Sequence, residues 1–169
     1  MKKLFTTLFL TFLFVGAYAQ ISIEPISIGL HANYFNAETK DSPKNGYGFS
    51  VSFNRIYMDI SSNFSGGKGE YLEYSSQYSY SSEKIHITLL NFGYIIPVKS
   101  FSIIPVIGFG ESKEIYQDPV GWETYYFGKS TTKINLGIIG TIKLSEHFRF
   151  HAGVGTFENF KAGLSYYAF

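Results

Sequence analysis

The sequence predicts an all-β protein, an eight-stranded antiparallel up-and-down transmembrane β-barrel. Three observations carry that prediction. Short runs of alternating apolar and polar residues recur eight times, with no helical stripe between them. The connections between the runs are mostly long at one end and tight at the other. The polar positions of the runs are mainly Ser, Gly, Asn and Thr, whereas a face turned to bulk water is usually rich in Lys and Glu.

The first nineteen residues are set apart from this pattern. Lys2 and Lys3 precede an apolar run broken only by Thr6, Thr7 and Thr11, and Ala17-Tyr18-Ala19-Gln20 follows. A basic start, a short apolar stretch and small residues at a cleavage site predict a secretory signal peptide over 1–19. The run is too short for a membrane helix, which needs about 20 residues. The domain is then 20–169. The formal charge of the chain is +1, and loss of Lys2 and Lys3 turns it slightly negative. That balance points away from nucleic acid. There are no cysteines, which excludes disulfides and thiol chemistry. Stability must come from burial and backbone pairing.

Strand one is predicted over 26–35, with Ile26, Ile28, Leu30, Ala32 and Tyr34 on one face. Strand two covers 46–53 and strand three 56–64, joined by the tight pair Asn54-Arg55. Strand four covers 83–96, where a slip in alternation at Leu89-Leu90 suggests a bulge. Strand five covers 101–110; Pro105 argues against complete pairing there. Strands six, seven and eight cover 131–144, 148–157 and 160–169. Long loops fall at 36–45, 65–82 and 111–130. The turn at 158–159 is short where the alternation calls for a long loop.

Seventeen Phe and fourteen Tyr demand an explanation. Tyr34, Tyr47, Phe53, Phe64, Tyr94, Phe101, Phe109 and Phe148 fall near strand ends on the apolar face. Rings at both ends of the strands suit the two interfaces of a membrane. The runs also match the ~9–11 residues of a tilted membrane strand. Closure should then pair strand eight with strand one, because an open sheet edge in lipid strands its backbone polar groups.

The chain resembles the small OmpA/OmpX-type eight-stranded outer-membrane β-barrels. The resemblance rests on Ala-Tyr-Ala-Gln, on the strand rhythm, and on the terminal Gly163-Leu164-Ser165-Tyr166-Tyr167-Ala168-Phe169. It implies residence in the bacterial outer membrane, contact with its lipid, and recognition of Tyr167 and Phe169 by the barrel-assembly machinery. Ser165 departs from the aromatic or apolar residue expected there.

Several residues are candidates for a site. His31, Asp59, Lys133, Lys143, Arg149 and His151 fall on the polar phase and should form a structural network in the lumen. Charges there are costly unless paired, so Asp59 is expected to pair with Lys133, Lys143, Arg149 or His151. The histidines show no metal-ligand spacing, and no cofactor is expected. Ser145-Glu146-His147 contains hydrolase residue types, but adjacent residues on a tight turn cannot converge, and Gly-x-Ser-x-Gly is absent. The chain is therefore expected not to be an enzyme. Tyr71, Tyr74, Tyr78 and Tyr80 decorate one long loop; Tyr116, Trp122, Tyr125, Tyr126 and Phe127 decorate the next. They could contact a surface protein, a glycan or lipopolysaccharide, or only stabilise strands that rise above the membrane. An eight-stranded lumen is filled by side chains, so no general porin is expected. Two alternatives stay open: a periplasmic lipocalin-like carrier, with its apolar face turned inward around a ligand, and an acyl-modifying membrane enzyme.

Overall fold

A computed structural model of the chain describes residues 26–35, 44–65, 70–73, 84–117 and 124–168. The predicted signal segment lies outside them. Ten strands form: β1 (Ser27–Phe35), β2 (Asn45–Phe53), β3 (Ile56–Ser62), β4 (Glu70–Glu73), β5 (Lys84–Tyr94), β6 (Ile96–Val98), β7 (Phe101–Gln117), β8 (Thr124–Lys143), β9 (Phe148–Gly155) and β10 (Glu158–Tyr167). β5 and β6 are consecutive parts of one wall strand. β4 lies outside the wall. Eight antiparallel wall strands therefore close a ring in the order β8-β9-β10-β1-β2-β3-β5/β6-β7, with β7 pairing back onto β8.

Closure by the first and last strands is as expected, with Ser27 opposite Tyr167 and Tyr34 opposite Phe160. Asn54 and Arg55 both have positive φ, at 47° and 72°. That is the twist a two-residue hairpin needs to match its strands. The wall strand breaks at Ile95, whose N–H bonds the Arg55 carbonyl instead of β7. Across from this break stands Pro105, which has no N–H to give to the ladder.

The apolar phase faces outward. Leu30, Phe64, Ile134 and Leu136 are each more than half exposed, and all eight strand-end rings named above lie on this outer surface. The opposite phase is buried and largely polar, with Ser50, Ser52, Asp59, Ser61, Asn91 and Asn135 nearly inaccessible. An outward apolar face removes the premise of a lipocalin-like carrier, whose apolar residues must line a cavity.

The interior has two dry layers with a polar layer between them. Phe35, Ile85, Ile87, Leu89 and Phe157 pack beneath the long-loop end. The rings of Phe35 and Phe157 meet edge to face, 6.4 Å between centroids. Tyr57, Ile95, Ile104, Val106 and Ile139 form the second cluster. The first cluster explains the irregularity at Leu89-Leu90. The register of β5 on β7 is continuous there, so no bulge exists. Leu89 simply faces the interior layer while Leu90 faces outward. The register shifts fall elsewhere, in β1 at Tyr34/Phe35 and in β7 at Lys113/Ile115.

β7 and β8 are much longer than predicted, at 17 and 20 residues. They continue as a ribbon through most of the segment expected to be a loop, pairing Gln117 with Tyr125. β4 joins the same ribbon in parallel, Glu70 opposite Thr124 and Glu73 opposite Phe127. At ~3.3 Å per residue, β8 is about twice as long as a membrane strand of ~9–11 residues requires.

Candidate functional site

Two regions hold the residues of interest: the polar layer at mid-lumen and the ribbon beyond the wall. The polar layer is built by strand alternation, which turns every second residue inward. Its centre is an ion pair. Lys161 Nζ on β10 donates to Asp59 Oδ2 on β3 at 2.8 Å and lies 2.9 Å from Glu158 Oε1; all three side chains are essentially inaccessible. Asn91 Nδ2 donates to both Asp59 oxygens at 3.1 and 3.3 Å. Asn135 Nδ2 donates to Asn91 Oδ1 at 2.8 Å, and Asn33 Nδ2 donates to Glu158 Oε2. The network thus joins β1, β3, β5, β8 and β10.

It also accounts for the short connection between β9 and β10. The Phe157 N–H donates to Asn135 Oδ1 at 2.9 Å, and the Thr156 N–H to the Leu136 carbonyl at 3.0 Å. The turn docks on β8 and carries Phe157 and Glu158 into buried positions without a long loop. Gly110 is required beneath it, because a Cβ there would overlap the Phe157 ring.

The expected partners of Asp59 are corrected by this geometry. The partner is Lys161, which the sequence reading omitted. Alternation marked it: Phe160, Ala162, Leu164 and Tyr166 form the outer phase, so Lys161 belongs to the inner one. The ladder row of Asp59 runs through Asn91 and Gly108 to Asn135 on β8. Lys133 lies beyond Asn135 toward the ribbon and Lys143 toward the tight turns, and both are exposed. Arg149 is half-buried near those turns, its guanidinium 4.1 Å from the centre of the Tyr167 ring. His151 Nδ1 bonds Ser165 Oγ at 3.0 Å. Glu158, read from sequence as a turn residue, is the first residue of β10 and is buried.

Ser61, His31 and Asp59 bring together the residue types of a hydrolase. His31 Nε2 lies 2.9 Å from Ser61 Oγ and 3.9 Å from Asp59 Oδ1. A catalytic histidine uses one ring nitrogen for the nucleophile and the other for the carboxylate. Here Ser and Asp address the same nitrogen, and all three residues are buried with Asp59 already bound to Lys161. The trio is a lumen contact. Among the described residues, no group of three or more His, Asp or Glu side chains is placed to hold a metal.

The ribbon carries the described loop aromatics. Tyr116 pairs across the ladder with Tyr126 and Gln117 with Tyr125. All three tyrosines are partly exposed. Tyr116 Oη donates to Glu114 at 2.7 Å, and Lys113 Nζ sits 3.9 Å from the centre of the Phe127 ring. Tyr71 lies on β4. Tyr74, Tyr78, Tyr80, Trp122 and Phe169 fall outside the described residues. Tyr167 is buried on the inner phase, while Leu164 and Tyr166 face outward on the same strand.

The closed ring, the outward apolar face and the buried polar phase define a small transmembrane-type β-barrel. No protein-family profile and no curated protein matches the chain. Solved structures do. The chain is similar to Ail, the attachment invasion locus protein of Yersinia pestis, at 14% identity and a TM-score of 0.54, over 88% of this chain and 100% of that one. It is also similar to the N-terminal β-barrel domain of Pseudomonas aeruginosa OprF, at 13% identity and 0.49, over 85% and 97%. Neisserial surface protein A matches at 11% and 0.48, over 85% and 97%. The likeness to Ail shows the fold, which is that of the small eight-stranded outer-membrane barrels the sequence resembles.

Proposed function

We propose that the protein is exported through a cleaved signal peptide, resides in the bacterial outer membrane, and acts at the cell surface by contact rather than by transport or catalysis. The observation that carries this reading is the ribbon. β7, β8 and β4 form three paired strands beyond the wall, and Tyr116, Tyr125 and Tyr126 decorate them. Rigid aromatic rings on a paired scaffold give large contact area at low entropic cost. The proposed partners are a surface protein or a glycan at the ribbon, outer-membrane lipid around the wall, and the barrel-assembly machinery, which would read the C-terminal segment through Tyr167 and Phe169. The mid-lumen network and the apolar cluster around Phe157 support a sealed interior.

The test replaces 116–126 and 66–82 with short turns in cells that display the barrel. Adhesion to immobilised matrix proteins and glycans should fall at least tenfold, while the heat-dependent mobility shift in SDS persists. Unchanged adhesion would remove the contact role. A second reading has its own support: the Tyr116–Glu114 and Lys113–Phe127 contacts lie within the ribbon and stabilise it. On that reading Tyr116→Phe lowers ribbon protection from proteolysis and leaves adhesion intact.

A further inference from the structure

The tight-turn end of the barrel holds a second polar site, separate from the Asp59 network. A cavity of about 100 Å³ opens there, lined by Lys99, Ser100, Ser102, Thr141, Lys143 and Arg149 together with Pro97 and Phe101. Among the described residues that line it, none is acidic.

Its floor and rim differ in chemistry. Ser102 and Thr141 face each other across β7 and β8 and are both buried. Thr141 Oγ1 has no hydrogen-bond partner among the described residues. A buried hydroxyl left unpaired is destabilising, so a ligand atom that satisfies it is favoured. The rim is cationic. Lys99 sits in the turn before β7, in a left-handed backbone conformation with φ of 53°. Lys143 and Arg149 are directly opposed across β8 and β9. The ring of Tyr167 fixes the guanidinium plane of Arg149.

We propose that this cavity binds a compact phosphate-type oxyanion. Hydroxyl donors below and two lysines and an arginine above match tetrahedral oxygens. The cavity has room for a phosphate group. The outward rings of Phe53, Tyr94, Phe101 and Phe148 mark the same end of the wall, so the group can arrive as free phosphate or as a lipid headgroup.

Amide NMR of the full barrel separates these sources. In phosphate-free maltoside micelles at constant ionic strength, inorganic phosphate should shift the Ser102, Thr141 and Lys143 amides saturably. The apparent Kd should rise at least tenfold in Lys143→Gln, a change at an exposed side chain, and in Thr141→Val. Shifts at the same amides in phosphatidylglycerol nanodiscs, with no response to inorganic phosphate, would identify the headgroup as the source and also support the site. No shift in either setting, or shifts unchanged in both variants, would overturn it.

Discussion

Lys161 Nζ lies 2.8 Å from Asp59 Oδ2, joining β10 to β3 through the interior across two intervening wall strands. Because Glu158 sits 2.9 Å from the same ammonium, one cation serves two buried carboxylates. Asn33 and Asn91 supply the further donors. This cluster decides which side chains can fill the lumen, and the first prediction concerns it.

Lys161→Met should destabilise the barrel by about 3–5 kcal/mol, because it strands Asp59 and Glu158 without a counter-charge. Adding Asp59→Asn should recover more than half of that loss. Guanidinium unfolding of the refolded protein in lipid vesicles measures both. If the single and double variants were equally unstable, the ion pair would not be the cause.

The Gly110 position tests the closure above the lumen. Gly110→Ala should cost about 1–3 kcal/mol by overpacking against Phe157. In a Phe157→Ala background the same change should be nearly neutral, a coupling that a double-mutant cycle reads directly.

The direction of the apolar face gives a third prediction. Leu30→Arg near the middle of β1 should cost about 2–4 kcal/mol in a bilayer. Thr132→Arg on the exposed upper part of β8 should stay within about 0.5 kcal/mol. Equal, small effects at both sites would mean that the outer face does not meet lipid.

In planar bilayers the protein should give no discrete porin-type conductance steps, since both dry layers and the Asp59 network occupy the interior. Regular steps from the purified barrel would show that this filling opens.

Much of the fold was legible in the sequence because strand alternation has a period of two and the lipid-facing and lumen-facing residues differ sharply in polarity. Eight wall strands, their tight turns and the outward phase all follow from that contrast. It fails where polarity ceases to separate the faces. The segment 111–130 reads as a loop because Glu111, Lys113 and Glu114 are hydrophilic, yet in the paired ribbon most described side chains, Ile115 apart, stay partly exposed on either face, so polarity shows no strand alternation there. Leu89-Leu90 reads as a bulge because the interior itself turns apolar beneath the loops.

A closed antiparallel barrel with polar side chains inside follows from the order of residues alone, since backbone groups of an apolar-faced sheet in lipid are satisfied only by pairing around a ring. That order placed Asp59, His31 and His151 on the inner phase. That Asp59 meets Lys161, and that Ser102, Thr141, Lys143 and Arg149 share one cavity, emerges from the folded ring. Alternation assigns a residue to a face, but the stagger of strands around the ring sets its height, and height decides which inward side chains touch.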